Sequence, residues 1–337
     1  MPKQSVLPRW RGFNLLGAFL CDSPGFFAER DFQLIGELGF NFVRLPMNYT
    51  FWIRNNDPFA IDEAKLGFVD DALGWARANG LHVQMNMHRA PGFSVARDRI
   101  EPFSLWTDRE AQDCFRLHWE TFARRYQGVP ASELSFNPIN EPCDVDAATH
   151  DAAVLPAVAA IHAIDPERLV ILDGLDYGTV PMPGVARQTG GRVAQSCRGY
   201  NPHHFTHYLA GWTQQPAGQG VPSWPFQDPN FAADDPAGRW DRGRLFAFYR
   251  DWAELAAATG TGVHCGEGGC YRHTPHEAVL AWLEDWLDAL SVYNIGYALW
   301  NFRGPFGILD SERGDVRYED WNGERLDRRM LSILQAH

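Results

Sequence analysis

Two glutamates each stand where a strand-like run ends. Glu141 lies in Asn140-Glu141-Pro142, at the end of the run Leu134–Ile139, and Glu267 directly follows Val263–Gly266. Two carboxyl groups at the C-terminal ends of different strands are the minimum equipment for cleaving a glycosidic bond, one donating a proton and one attacking the anomeric carbon. A retaining mechanism needs them roughly 5–5.5 Å apart, one protonated near neutral pH and one ionised. The scaffold must therefore bring two distant segments to one mouth.

The elements that could do so alternate along the chain. Strand candidates are Gly12–Leu16, Asn41–Leu45, Leu81–Met87, Leu134–Ile139, Leu169–Leu172, Val193–Cys197, Val263–Gly266 and Gly296–Trp300, short apolar runs near Gly, Pro or Asn, as buried parallel strands should be. Between the second and third, Leu66, Val69, Leu73 and Ala76 form one helical stripe in Asp62–Asn79, with Gly80 as the left-handed stop. Thr107-Asp108-Arg109-Glu110 reads as a capping box opening a helix to about Tyr126. Further helices are expected near Ala28–Leu38, Thr149–Ile164, Arg242–Thr259, Pro275–Leu290 and Arg325–Gln335. Eightfold alternation predicts an α/β fold, one (β/α)8 barrel spanning residues 1–337. A doubly wound sheet is disfavoured because no glycine-rich phosphate loop follows the first strand.

In such a barrel the C-terminal strand ends converge, which would gather Asn14, Arg44, His88, Asn140, Glu141, Tyr200, His207, Glu267 and Trp300. Arg44 is placed to pair with Glu267, since a cation within about 4–6 Å favours a charged carboxylate. The Tyr200 hydroxyl can hydrogen-bond the same group. Asn140 suits a sugar 2-hydroxyl, and Trp300 offers a flat face to a pyranose ring. The long Ala210–Pro236 segment after the sixth strand, with Trp212 and Trp224, reads as a functional rim.

Composition narrows the substrate. A net charge of −12 disfavours a nucleic-acid backbone or an anionic bilayer as partner, so a neutral or cationic substrate fits better. The start of the chain shows no secretory signal and no run approaches the roughly 20 apolar residues of a membrane span, so a cytoplasmic protein is expected unless a leader has been removed. Oligomeric state is not readable. Six scattered cysteines without a C-x-x-C pair read as reduced thiols. His203, His204 and His207 resemble a metal cluster by spacing, but neither a metal nor a cofactor is expected, because three or four ligands in tetrahedral reach are required. Trp119, Trp252, Trp282 and Trp286 fall inside predicted helices and read as packing residues.

The ordered set Arg11-Gly12-Phe13-Asn14, Phe42-Val43-Arg44-Leu45-Pro46, His88, Asn140-Glu141-Pro142, Tyr200-Asn201-Pro202 with Phe205-Thr206-His207, Gly266-Glu267 and Ala298-Leu299-Trp300-Asn301 resembles glycoside hydrolase family 5 over nearly the whole chain. That resemblance implies a retaining (β/α)8 glycosidase of the cellulase and mannanase type, with Glu141 as acid/base and Glu267 as nucleophile. It also implies that Asn14, Arg44, His88, Asn140, Tyr200, His207 and Trp300 hold sugar and nucleophile. The substrate would be β-linked glucan or mannan, with β-1,4 linkage expected, or oligosaccharides derived from them, cleaved internally as by an endoglucanase. Terminal trimming by a β-glucosidase or β-mannosidase is the alternative. A metal-dependent barrel hydrolase would want His-x-His where the chain has Gly12-Phe13-Asn14, and a silent sugar-binding barrel would not need both carboxylates. Two positions depart from the family. Arg198 replaces the usual histidine two residues before Tyr200, and would either recognise an anionic substituent or pair with a neighbouring carboxylate. Gly268-Gly269 replace bulkier residues and are expected to widen the cleft beside Glu267.

Overall fold

The computed structural model describes residues 7–19, 26–96, 100–184 and 192–337. Eight parallel strands are formed: β1 (Arg11–Asn14), β2 (Phe42–Asn48), β3 (His82–Ala90), β4 (Leu134–Asn137), β5 (Leu169–Asp173), β6 (Val193–Gly199), β7 (Val263–Gly268) and β8 (Gly296–Leu299). Each pairs with its neighbour in sequence and β8 returns to β1, so the sheet closes into a (β/α)8 barrel. The outer helices are α1 (Glu29–Glu37), α2 (Gly67–Ala78), α3 (Arg109–Arg125), α4 (Ala147–Ile164), α5 (Arg242–Thr259), α6 (His276–Val292) and α7 (Arg328–Ala336). The described part of the β5–β6 connection carries only a single turn at Leu175–Gly178.

The two-residue period of a strand divides the barrel chemically. Val43, Leu45, Val83, Met85, Met87, Phe136, Val170, Leu172, Val263, Cys265 and Leu299 point outward into one large apolar core beneath the helices. Alternate residues point inward. Near the N-terminal end of the barrel these are Phe42, Ile171, Ala194 and Ala298, grouped with Trp10. Further along the strands they become Asn14, Arg44, Asn86, Asn137, Asp173, Ser196 and Arg198, all buried. Register sets these side by side, Asn14 beside Arg44, Asn86 beside Asn137 and Asp173 beside Ser196.

Strand β7 breaks this rule. Cys265 pairs with Cys197, but the register shifts and Glu267 pairs with Arg198, a β-bulge at Gly266. Without the extra residue Glu267 would share the outward face of Val263 and Cys265. The bulge turns it into the mouth. A Cβ on Gly266 would sit 2.7 Å from Ser196 Oγ and 3.3 Å from Arg198 Nη1, so glycine is what allows this close approach.

Gly268, the first of the Gly268-Gly269 pair, does not widen the cleft as expected from the sequence. Gly268 lies opposite Gly199 on β6, and a Cβ on either would meet the Trp286 ring, at 2.6 Å from Gly268 and 2.3 Å from Gly199. Together they form a flat seat for Trp286, which stacks on Trp282 and donates its Nε1 hydrogen to the Tyr249 hydroxyl at 2.7 Å. Gly268→Ala should therefore overpack a rigid site and cost about 1–3 kcal/mol, read as a lower midpoint in thermal denaturation. An unchanged midpoint would show that Trp286 can move aside.

Several local details differ from expectation. Asp108, not Thr107, is the residue preceding α3, and its carboxylate accepts from the Ser104 amide at 2.7 Å and the Thr107 hydroxyl at 3.0 Å, so no capping box forms. The Asp62–Asn79 helix begins as a 3₁₀ turn over Glu63–Leu66. Arg325 and Leu326, expected as the start of the last helix, instead belong to a strand, Glu324–Leu326, that pairs with Glu319–Trp321. Helix α4 is long and apolar enough to cross a membrane by length and composition, which the sequence reading did not anticipate. Its Val154, Ala157, Val158 and Ile161 are buried in the apolar core, as in the other outer helices.

Candidate active site

Most inward side chains at the C-terminal strand ends are polar, and these interlock around two arginines. Arg44 is fully buried and donates to Glu267 Oε1 (2.6 Å), Asn14 Oδ1 (2.9 Å), Asn137 Oδ1 (2.9 Å) and Asn140 Oδ1 (2.8 Å). Arg198 Nε donates to Glu141 Oε1 at 2.7 Å, while its Nη2 lies 3.3 Å from Glu267 Oε1. Both glutamates thus lie within ion-pair reach of one guanidinium, a group only a few ångströms across.

Above them opens a cleft of about 1170 Å³. Of the nine positions expected at the mouth, Glu141, Glu267, His88, Tyr200, His207 and Trp300 line it. Asn14, Arg44 and Asn140 lie beneath. Asn14 Nδ2 donates to the Gly266 and Leu299 carbonyls, both at 3.0 Å, which ties β1 to β7 and β8. Asn140 Oδ1 is occupied by both arginines and its amide nitrogen faces His88 Nε2 at 3.3 Å, so only that amide remains for a sugar hydroxyl.

Protonation follows from these surroundings. Burial first, and the Glu267 carboxylate second, push the Glu141 carboxyl up to about 7 against the opposing pull of Arg198. Burial, reinforced by Glu267 and Glu141, holds the Tyr200 hydroxyl well above its ordinary value, so it donates to Glu267 Oε2 at 3.2 Å. Burial and the cations of Arg44, Arg198 and Arg89 push His88 well below the ordinary histidine value. Its neutral ring lies 3.1 Å from Asn86 Oδ1 through Nδ1, which assigns the proton there and leaves Nε2 as acceptor for Asn140.

His207 stacks on His203 with ring centres 4.2 Å apart, and His204 turns away to Asp228 at 3.1 Å. The three rings do not converge as chelating ligands would. Burial pushes both His203 and His207 below the ordinary value, to about 4 for His203. Trp212 is exposed and lines the cleft, whereas Trp224 donates to Asp285 on α6 at 2.8 Å and is a packing residue. Trp119, Trp252, Trp282 and Trp286 are buried outside the barrel as expected. The five described cysteines are buried and form no disulfide among themselves, and Cys21 lies outside the described residues.

Asp173, Asn137 and Asn86 did not stand out in the sequence. The available signal was an acidic residue ending the otherwise apolar run Leu169–Leu172, at the level where a barrel gathers its chemistry.

Residues 4–304 match the family model described as Cellulase (glycosyl hydrolase family 5). The chain belongs to glycosyl hydrolase family 5. As a member it is an O-glycosidase of the cellulase-like group. Endoglucanase C of Acetivibrio thermocellus is 26% identical over 312 residues, covering 87% of this chain and 89% of that protein. Cellodextrinase A of Ruminococcus flavefaciens is 27% identical over 81% of this chain and 80% of its own length. A crystal structure titled as a glycoside hydrolase superposes with a TM-score of 0.89 at 36% identity, covering 97% of this chain and 99% of the other. Thermotoga maritima Cel5A, solved with cellobiose, has the same fold at a TM-score of 0.75 and 21% identity, with 97% of each chain covered. Against the usual family 5 pattern, the departure with chemical weight is Arg198, which bonds directly to Glu141.

Proposed function

We propose that this protein hydrolyses β-1,4-linked glucan or its oligosaccharides with retention of configuration, through a glycosyl-enzyme intermediate. The observation that carries this reading is the bridging of Glu141 and Glu267 by one arginine at the floor of the cleft, with Glu141 the group pushed up to about 7. The names of the relatives, endoglucanase and cellodextrinase, support the glucan assignment.

In the first step a Glu267 oxygen attacks the anomeric carbon and the bond to the leaving oxygen breaks as Glu141 delivers its proton there. Arg44 and Tyr200 hold the two Glu267 oxygens and fix the direction of attack. In the second step Glu141, now a carboxylate, takes a proton from water as that water attacks the same carbon and releases Glu267. Trp300, beside His88 with ring centres 5.2 Å apart, presents an aromatic wall to the sugar at the cleavage point.

Three measurements test this. Proton NMR of a fresh digest should show the β-anomer forming first, and an initial α-product would exclude retention. Products from glucan, mannan and xylan, compared with their oligomers, should favour the glucan series and show internal cuts. Glucose released singly from chain ends would favour terminal trimming. The protonated form of Glu141 is the active one, so kcat/KM on an oligosaccharide should fall above pH about 7, roughly tenfold per further unit. A profile flat to pH 9 would contradict the role given to Glu141.

A further inference from the structure

Arg198 has five N–H donors, and the protein engages them all. Nε bonds Glu141 Oε1 at 2.7 Å, Nη1 bonds Ser196 Oγ at 3.0 Å and the Cys197 carbonyl at 3.3 Å, and Nη2 bonds Asn140 Oδ1 at 2.9 Å as well as Asp173 Oδ2. No donor is left for an anionic sugar substituent. The turn after β5 presses on the same side chain, since a Cβ on Gly178, a residue with φ of 74°, would lie 2.8 Å from Arg198 Cγ.

Asp173 is the other half of this arrangement. It is fully buried and engaged on both oxygens, Oδ1 accepting from Asn137 Nδ2 at 3.1 Å and Oδ2 from the Glu141 backbone N–H at 2.9 Å and from Arg198. The hydrogen bonds therefore close a ring, from the Glu141 amide to Asp173, on to Arg198, and back to the Glu141 carboxyl. Glu141 has a left-handed backbone with φ of 47°, an arrangement that costs a non-glycine residue energy unless its surroundings enforce it. Asp173 supplies an acceptor for that strained amide.

We propose that Asp173 is a positioning residue for the reaction: by holding both Arg198 and the Glu141 backbone it aims the proton donor, and by balancing the arginine's charge it lets Glu141 keep its proton. This rests on the assignment of Glu141 as proton donor. A lone guanidinium 2.7 Å away would favour the charged carboxylate. Glu267, Arg198 and Asp173 act on the charge of Glu141, with the neutral Tyr200 hydroxyl beside them, and of the two carboxylates Asp173 is the one that opposes Arg198 without attacking the anomeric carbon.

The test is the pH dependence of kcat/KM on two substrates, a β-1,4-glucan oligosaccharide whose leaving group needs a proton and a 2,4-dinitrophenyl β-glycoside whose leaving group does not. Asp173→Asn should move the basic limb on the oligosaccharide to lower pH by about one unit or more, with a loss of about fivefold or more at pH 7 that follows from that shift. The dinitrophenyl glycoside should be turned over within a few-fold of wild type. Arg198→Met should move the limb the opposite way, and this variant decides the matter if Asp173→Asn does not fold by circular dichroism. An unmoved limb, shifts of the same sign, or equal losses on both substrates would overturn the proposal. Glu141→Gln is the control. If it retains the basic limb, the proton-donor assignment itself falls, whereas a limb lost in Glu141→Gln but unmoved in the other two variants defeats only the role of Asp173.

Discussion

Hydrolysis of an aryl β-glycoside by Glu267→Ala should fall by on the order of 10⁵–10⁶-fold, the scale seen when an enzyme loses its covalent nucleophile. Added azide should restore turnover and yield an α-glycosyl azide, because the small anion occupies the space left on the α face while Glu141 remains in place. The structure adds a second consequence. Arg44 is fully buried and its closest carboxylate partner is Glu267 at 2.6 Å, with Asp173 at 4.0 Å. Removing Glu267 leaves that cation under-compensated, and breaking a buried pair from one side costs about 3–5 kcal/mol. The variant should melt at lower temperature than wild type, and azide should raise the midpoint as well as the rate. Wild-type activity in the variant, or a β-azide product, would remove Glu267 from the nucleophile's role.

Glu141→Ala should separate the two chemical steps. On an oligosaccharide the loss should be about 10²–10⁴-fold, the usual contribution of a positioned general acid. On a 2,4-dinitrophenyl glycoside the first step needs no proton and should proceed almost unchanged. The second step lacks its base, so a burst of dinitrophenolate should precede slow turnover, and azide should accelerate that turnover and give a β-glycosyl azide. Equal losses on both substrates, with no burst, would show that Glu141 acts on the fold and not on the leaving group.

All eight strands were legible because their outward faces are apolar and each run is short and bounded. The inward faces were legible only in part: Asn14 and Arg44 stood out within motifs, whereas Asn86, Asn137 and Asp173 show their role only once the barrel is closed. Asp173 is the clearest case. It follows an apolar run and was not singled out, yet it is fully buried and bonded to Asn137, Arg198 and the Glu141 amide. Strand ends were also underestimated where pairing carries them further, β2 to Asn48 and β3 to Ala90, where β3 turns back against Phe93–Ser94. Arg198 was readable as one of two alternatives. What decided between them was the occupancy of all its donors, a property of five partners on different strands and loops. Gly268 misled because a missing side chain suggests space, whereas here the space is filled by Trp286 from an outer helix.

The irregularity at Gly266 means that β7 serves two environments in succession, a greasy jacket before it and a wet sugar site after it. A single deleted residue there would pass unnoticed in any hydropathy profile and could leave the barrel standing, while swinging the attacking oxygen round to face the helices. Among natural relatives, the length of this strand should consequently tolerate less variation than its composition. An enzyme designer transplanting the nucleophile onto another barrel would have to copy the kink along with the glutamate.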